Sequence, residues 1–180
     1  MSANPSTHPS NILKFCPSCG SENFTFNGEK LFTCGNCSFN YYINPAPAVA
    51  VIIEAPDGRI VVTRRKHEPR AGYLDLPGGF VDMMESAEDA AKREVMEELG
   101  IAVKDFKFIG SSPNEYVYKG LSYFTCDLGF ICRSDEISRM VPADDVSEAF
   151  LMRPEDIDPA EICFPSIERI LKLYLEFKVK

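Results

Sequence analysis

Residues 79–101 decide the fold, and they read GFVDMMESAEDAAKREVMEELGI. Ser86 is a good helix N-cap, and Asp89 follows three residues later as a weak capping box. Gly100 stands where helices commonly end on a glycine in the left-handed conformation. The segment therefore predicts a helix from Ser86 to Leu99, preceded by a loop.

Three glutamates lie near the end of this predicted helix. Glu94, Glu97 and Glu98 are spaced i, i+3 and i+4, so they share one helical face, where like charges repel. Two of them also lie at the negative end of the helix dipole, which disfavours each by up to ~1 kcal/mol. A solvated acidic face is the purely structural interpretation. A divalent cation explains the cluster better, because Mg²⁺ prefers oxygen ligands such as carboxylates.

The whole segment resembles the signature of the Nudix hydrolases. The matching positions are Gly79, five residues, Glu85, seven residues, Arg93-Glu94-Val95, one residue, Glu97-Glu98, one residue and Gly100-Ile101. The resemblance implies an α/β/α sandwich around a mixed sheet. It also implies a loop–helix–loop site that binds Mg²⁺ or Mn²⁺ and attacks a phosphorus with water.

The resemblance assigns roles to single residues of this sequence. It implies Glu94 and Glu98 as the main metal ligands, with Glu97 close by as a third catalytic acid. It implies that the backbone carbonyl of Gly78 completes the metal site. The positions implied to support the loop and helix are Gly79, Glu85, Arg93 and Gly100.

Two positions lie outside the fixed pattern. Many Nudix relatives have glycine before the first glutamate of the signature, where this chain has Met84. The stretch from Val146 to Leu151 resembles the family strand that delivers one more glutamate, which would be Glu148. A solvated acid on an edge strand is the alternative for Glu148.

Four cysteines precede this region in two pairs. Cys16, Cys19, Cys34 and Cys37 form C-x-x-C, fourteen residues and C-x-x-C, which fits tetrahedral Zn²⁺ with four thiolates. A redox pair is less suited, because two tandem pairs occur without a thioredoxin-like βαβ pattern. No open coordination position is visible, so we predict a structural zinc that replaces a core which about thirty residues cannot build.

The chain of 180 residues is expected to divide into three parts. Residues 1–11 are rich in Ser, Pro and Asn and are expected to be disordered. Residues 12–44 are expected to form a small zinc-ribbon β module, and residues 45–180 the Nudix domain. Within that domain, short apolar runs predict strands, and residues 166–177 predict a closing amphipathic helix.

Composition and charge restrict the partners. The net charge of −8 argues against nucleic acid as a partner, and residues 12–44 hold two lysines against two glutamates. The longest apolar stretch is too short to span a bilayer, and no secretory signal is visible. We therefore expect a cytoplasmic protein with a nucleotide substrate and no membrane partner, and leave open whether it forms a homodimer.

A four-cysteine ribbon followed by this signature resembles the NADH-pyrophosphatase branch of the family and some relatives acting on FAD or ADP-ribose. That branch has Ser-Gln-Pro-Trp-Pro-Phe-Pro after the signature, whereas residues 111–118 here retain only a Ser and a Pro. The resemblance implies cleavage of NADH, ADP-ribose or FAD to AMP plus a second phosphate ester. Tyr116 and Tyr118 are the candidate stacking platforms for a base. A non-catalytic regulator that binds ADP-ribose or NAD derivatives, and a ribbon-centred interaction module, are the alternatives.

Overall fold

The computed structural model describes residues 5–179, which form two compact units. The first unit comprises the described residues through Pro45 together with Glu115–Phe124. The second comprises Ala46–Asn114 and the described residues from Thr125. Within the described part of the chain, no helix is long and apolar enough to cross a membrane.

The first unit is built on a small antiparallel sheet of order β1-β2-β3. Its elements are α1 (Pro9–Ile12), β1 (Phe24–Phe26), β2 (Leu31–Cys34) and β3 (Asn40–Tyr42). Phe24 stacks on Phe32, with ring centroids 4.9 Å apart, and two buried cysteine side chains complete the core. The rest of the unit is the hairpin formed by the adjoining ends of β7 and β8, which are defined below.

The expected disorder of residues 1–11 is wrong for the part that folds into α1. His8 caps this helix by accepting a hydrogen bond from the Ser10 N–H, and its ring packs within 5.5 Å of those of Phe26 and Phe124. Sequence composition could not reveal this, because the partners of His8 are distant along the chain. Residues 1–4 lie outside the described part.

The second unit is a six-stranded mixed sheet between helices. Its elements are β4 (Ala46–Glu54), β5 (Ile60–Arg65), β6 (Leu74–Asp75), α2 (Ala87–Leu99), β7 (Lys104–Tyr118), β8 (Leu121–Arg133), β9 (Val146–Met152) and α3 (Pro165–Lys178). The sheet order is β6-β5-β4-β8-β7, and β9 pairs with β5. The β4–β8 pair is parallel, whereas β5 pairs antiparallel with β4, β6 and β9.

The two helices cover opposite faces of this sheet. Alternate residues of β4 point to opposite sides, so Val51 packs in one apolar cluster with Val95 of α2, and Ile52 in another with Ile170 of α3. Each of these side chains is fully buried. This layering confirms the predicted α/β/α sandwich.

The predicted signature helix is confirmed almost to the residue. α2 begins at Ala87, the Ser86 hydroxyl accepts a hydrogen bond from the Asp89 N–H, and Gly100 ends the helix at φ 66°. By contrast, β7 continues to Tyr118, well past the apolar run that predicts a strand at its start. Its outer half is largely exposed and polar, so it lacks the apolar alternation that predicts a strand.

Candidate active site and cysteine centre

The loop that leads into α2 is fastened to β4. The Val51 N–H donates to the Pro77 carbonyl and the Val49 N–H donates to the Gly79 carbonyl, each over 2.8 Å. Gly78, between them, has φ 146°, and a Cβ atom there would lie 2.0 Å from the Val49 carbonyl oxygen. Only glycine allows the loop to approach β4 this closely.

Glu98 is the buried acid of the site. Its side chain lies in the last turn of α2, where Glu98 is 7% exposed and its Oε2 accepts a hydrogen bond of 3.0 Å from the Gly78 N–H. Burial, together with the negative charges of Asp75, Glu94 and Asp145, raises the pKa of this carboxyl to about 9. A nearby cation would therefore stabilise the ionised form of Glu98. The structure uses the Gly78 N–H here; the Gly78 carbonyl as a metal ligand stays a prediction.

Arg93 connects the loop to the helix. Its Nε and Nη2 atoms donate to the two carboxylate oxygens of Glu85, each over 2.9 Å, and Nη2 also donates to the Phe80 carbonyl. Its Nη1 atom donates to Glu94 over 2.8 Å and to Glu97 over 3.0 Å. A bidentate guanidinium–carboxylate pair fixes geometry as well as charge, so these contacts brace the loop against the helix.

Glu94 lies directly against Gly79. A Cβ atom on Gly79 would lie 2.5 Å from Glu94 Oε1, so the glycine leaves the space that this carboxylate occupies. The Glu94 side chain is 13% exposed, and burial raises the pKa of its carboxyl, although Arg93 acts in the opposite direction. Glu97 is more open, with 49% of its side chain exposed.

The structure gives Glu148 a different partner. It stands opposite Arg64 on the neighbouring strand, and its Oε2 lies 3.3 Å from Arg64 Nε. The Glu148 side chain is 62% exposed. Its place among the catalytic acids stays a prediction.

Two acids that sequence reasoning missed face the signature helix. The charge of Asp144 raises the pKa of Glu94, and that of Asp145 raises the pKa of Glu98. Their loop is held to the end of α2 by the Ala143 N–H, which donates to the Glu98 carbonyl over 2.8 Å. The available signal was a pair of adjacent acids directly before a predicted strand.

The two candidate stacking tyrosines lie in the first unit, whereas the signature acids lie in the second. The rings of Tyr116 and Tyr118 have centroids 6.3 Å apart and planes at 29°, and Tyr118 is 41% exposed. Their contact with a substrate base stays a prediction.

The four paired cysteines converge on one point, as the spacing predicts. All four Sγ atoms lie within 4.8 Å of one another, and two of the separations, Cys16–Cys37 and Cys19–Cys34, are 3.8 and 3.7 Å. A tetrahedron with zinc–sulfur bonds of about 2.3 Å has sulfurs about 3.8 Å apart, so these separations fit Zn²⁺. Hydrogen bonds, the largest from the Ser21 backbone and the next from Asn36, lower the pKa of the Cys19 thiol to about 6, which favours the ligating thiolate.

The two cysteine turns repeat the same hydrogen bonds. The Gly20 N–H donates to the Cys16 carbonyl over 2.8 Å, and the Ser38 N–H donates to the Cys34 carbonyl over 2.9 Å. Gly20 and Ser38 occupy the same left-handed position, at φ 73° and 60°. A serine therefore takes, in the second turn, the left-handed position that a glycine takes in the first.

The signature acids are not gathered as tightly as the cysteines. Among the described residues, the cysteines are the one set of three or more potential ligands whose donor atoms all lie within 4.8 Å of one another. Glu94 and Glu97 turn towards Arg93, and Glu98 turns towards the Gly78 N–H. The carboxylates of Glu94, Glu97 and Glu98 are thus not gathered around one point, and each is hydrogen-bonded to another group of the protein.

Comparison with known proteins gives the family. The NUDIX domain model matches residues 44–173. The NAD-capped RNA hydrolase NudC of Vibrio parahaemolyticus is 32% identical over 120 residues, which are 67% of this chain and 45% of that protein. The NudC of Escherichia coli strain K12 is 36% identical over 100 residues, which are 56% of this chain and 38% of that protein. This chain thus spans less than half the length of the curated relatives it matches.

A solved structure agrees with these matches. The crystal structure of a NUDIX hydrolase from Nitrosomonas europaea superposes with a TM-score of 0.71 at 25% identity, covering 91% of this chain and 90% of that one. The family model covers well over half of the chain, and the sandwich with its signature helix is the structure found. The chain belongs to the NUDIX domain family.

Proposed function

We propose that this chain is a magnesium-dependent pyrophosphohydrolase that cleaves nucleoside diphosphate derivatives such as NADH, ADP-ribose or FAD into AMP and a second phosphate ester. The observation that carries the proposal is the buried Glu98 carboxyl. It accepts a hydrogen bond from the Gly78 N–H, and the negative charges of Asp75, Glu94 and Asp145 act on it. A buried acid in such surroundings is costly unless a cation accompanies it.

The donor set fits Mg²⁺ or Mn²⁺. Glu94 and Glu98 would hold the ion, Glu97 and Glu148 are the further oxygen donors, and the Gly78 carbonyl is the backbone candidate. When bound, such an ion neutralises pyrophosphate charge and lowers the pKa of the attacking water. The space beside Gly79 keeps the Glu94 carboxylate against the loop, where it can exchange Arg93 for a cation.

Arg93 and Gly78 prepare these acids for that role. Arg93 donates two hydrogen bonds to Glu85 and thereby fixes the loop. Its Nη1 atom donates to both Glu94 and Glu97, and its positive charge reduces the repulsion between these two acids. The Gly78 N–H orients the Glu98 carboxylate before any ligand arrives. Preorganised groups of this kind lose little free energy to reorganisation during the reaction.

Two observations support the proposed substrate class. Relatives of this chain are named as hydrolases of NAD-capped RNA, and NAD is an adenine dinucleotide. The net charge of −8 disfavours a long polyanion and leaves a small dinucleotide or ADP-sugar as the preferred substrate. The absence of a nucleic-acid partner stays a prediction, and a capped RNA belongs among the compounds tested.

The test is hydrolysis of a substrate panel with Mg²⁺ and with Mn²⁺, followed by chromatography of the products. The panel contains NADH, NAD, ADP-ribose, FAD, ADP-glucose, nucleoside triphosphates and a short NAD-capped RNA. We expect AMP from the dinucleotides and ADP-ribose. Triphosphates hydrolysed ten times faster than every other compound would contradict the substrate assignment. Tight binding of ADP-ribose without turnover would favour the regulator instead.

We also propose that the four cysteines hold one structural zinc and that residues 12–44 form the module around it. The sulfur separations fit the tetrahedral ion, and the surrounding core has four buried side chains: Cys16, Phe24, Phe32 and Cys34. A core this small needs an additional stabilising element. Elemental analysis of the purified protein tests this proposal, with one zinc per chain expected.

A further inference from the structure

A further acid with a largely buried side chain, Asp75, precedes the loop of the proposed active site. Asp75 is at the end of β6, and its side chain is 13% exposed. Its Oδ2 accepts a hydrogen bond of 2.8 Å from Arg65 Nη1, and the thiol of Cys163, in the segment before α3, donates to the same carboxylate. Neither the family signature nor the proposed chemistry uses this group.

Arg65 is itself held in place from two sides. Its Nε donates to the Pro69 carbonyl over 2.9 Å, and its guanidinium lies over the ring of Phe164, with Cζ 5.2 Å from the ring centroid. Its side chain is 19% exposed. The Arg65–Asp75 pair is therefore a largely buried and anchored ion pair. Exposed ion pairs, by contrast, contribute little to the stability of a protein.

The pair is connected to Glu98 through a short turn. Asp75 Oδ1 accepts a hydrogen bond of 2.8 Å from the next backbone N–H, that of Leu76. The Pro77 carbonyl accepts a hydrogen bond from the Val51 N–H of β4, and the Gly78 N–H donates to the Glu98 carboxylate. Residues 75–78 are thus fixed at one end by Arg65 and at the other by β4, with the Glu98 hydrogen bond at the tip.

Burial is the largest cause of the raised pKa of the Glu98 carboxyl, and the negative charge of Asp75 raises this pKa as well. Placing a second acid there opposes ionisation of Glu98 in the protein without a cation. The contribution of Asp75 that the geometry supports is the position of the turn, through the hydrogen bonds that its two carboxylate oxygens accept.

We propose that Asp75, anchored by Arg65, is a positioning residue that fixes the Leu76–Gly78 turn and thereby holds the Glu98 carboxylate in its binding orientation. The proposal rests on the proposed function, in which Glu98 binds the divalent cation. It adds a structural element that the signature does not contain, contributed by β5, β6 and the segment before α3.

The test compares three variants with a matched control. Asp75→Asn keeps the size and the acceptor for the Leu76 N–H but removes the charge, Asp75→Ala removes both, and Arg65→Lys keeps the charge without the two-sided anchoring. Asp57→Asn is the control, because Asp57 forms an exposed pair with Arg59 at 2.7 Å in a distant turn. Each protein is examined for Mn²⁺ binding by electron paramagnetic resonance, for kcat and KM with ADP-ribose, and for thermal unfolding.

We expect Asp75→Ala to weaken Mn²⁺ binding and to lower kcat by about ten- to a hundredfold with little change in KM, because small displacements of catalytic groups have effects of this size. Asp75→Asn should show a smaller loss than Asp75→Ala, and the control none. If Asp75→Ala does not fold, Asp75→Asn and Arg65→Lys decide the question alone.

Two results would overturn the proposal. One is wild-type Mn²⁺ binding and kcat in the folded Asp75→Asn and Arg65→Lys proteins. The other is a loss of thermal stability alone, which is what a merely structural ion pair would give. If the wild-type chain hydrolyses nothing in the panel, the proposed function fails, while Mn²⁺ binding by the variants still tests the role of Asp75.

Discussion

The two candidate metal centres of this chain are built on opposite plans. The cysteine centre gathers four Sγ atoms within 4.8 Å, on two turns with matching hydrogen bonds. The signature helix spreads its carboxylates between Arg93 and the Gly78 N–H, and Glu97 remains about half exposed. Closed four-ligand sites are structural, and sites with open positions are the ones that bind substrate.

The difference shows what each centre requires from the rest of the chain. The cysteine centre has a minimal core, so the proposed zinc ion would contribute folding free energy. The signature helix is covered by a full apolar cluster that includes Ala90, Ala91, Val95 and Leu99, so the helix does not depend on a cation. Removing the ion should therefore unfold the first centre and leave the second folded but inactive.

The largest effect is expected from the cysteine centre. Cys16→Ser or Cys37→Ser should remove the zinc and unfold the first unit, because structural zinc contributes about 10–16 kcal/mol of apparent binding free energy in small modules. The hydrolysis chemistry of the second unit should persist in the variants. Zinc content and thermal unfolding are the measurements. Cys126→Ser, outside the four, is the control, and a fully folded chain that contains no zinc would contradict the assignment.

The next effect concerns the signature acids. Glu98→Gln or Glu94→Gln should lower kcat about a thousandfold or more, roughly 4 kcal/mol in activation free energy, while the fold is retained. Circular dichroism and steady-state kinetics measure both. Glu88→Gln, an exposed acid in the first turn of α2, is the control. Glu148→Gln should also slow turnover, and an unchanged rate would make Glu148 a solvated acid.

The third effect is a pH dependence of stability without magnesium. The pKa of Glu98 is raised from 4.5 to about 9 in the folded chain, so the native state holds a proton that the unfolded state has released. Stability therefore falls as the pH rises through this interval, by roughly 3 kcal/mol at pH 7 relative to an uncharged side chain. Urea unfolding at pH 5, 7 and 9 should show that the free energy of unfolding of Glu98→Gln increases relative to that of the wild type as the pH rises. Equal slopes for the two proteins would argue against a buried, protonated Glu98.

The sequence predicted local features well and distant contacts poorly. The helix α2 follows from Ser86, Gly100 and the apolar stripe between them, all of which lie within one segment. The cysteine cluster follows from spacing alone. The helix depends on interactions between residues close in sequence, whereas the two cysteine pairs lie 15 and 21 positions apart where they meet and are recognised by their C-x-x-C spacing.

The rest of the site depends on long-range packing. Asp145 reaches Glu98 only because β9 pairs with β5, and Asp75 reaches Arg65 only through the β5–β6 pair. No pattern in the sequence specifies these pairings. The outer half of β7 escaped prediction for the opposite reason, since its exposed residues carry no apolar period.

The fourth effect separates the two glycines of the loop. Gly79→Ala should place a Cβ atom 2.5 Å from Glu94 Oε1, which moves a flexible side chain and not the backbone. We expect a stability change of less than about 1 kcal/mol but about a tenfold or greater fall in kcat, because Glu94 is displaced. Gly78→Ala is the contrast, since its Cβ atom would meet the Val49 carbonyl at 2.0 Å and the chain should fold poorly. Equal effects of the two changes on folding would show that Gly79 also has a backbone role.

The smallest effect compares backbone strain in the two centres. Met84 in the signature loop and Ser38 in the cysteine turn both have positive φ, at 66° and 60°. The left-handed conformation costs a non-glycine residue about 1–2 kcal/mol. Glycine avoids this cost, but it loses about 0.5–1 kcal/mol more in conformational entropy on folding, because its unfolded chain is more flexible. Met84→Gly should therefore stabilise the protein by about 0.5 kcal/mol or more, and it sacrifices no packing because the Met84 side chain is fully exposed.

The neighbouring Met83 provides the matched control for this prediction. It is 97% exposed but is not among the residues with positive φ, so Met83→Gly gains no relief and should lower stability by about 0.5–1 kcal/mol. Chemical denaturation of the two variants should thus give shifts of opposite sign. Ser38→Gly should increase the stability by as much as Met84→Gly only if local backbone preference alone sets the conformation of the cysteine turn. A smaller gain at Ser38 would favour the proposed zinc, and not the local backbone preference, as the cause of the conformation of that turn.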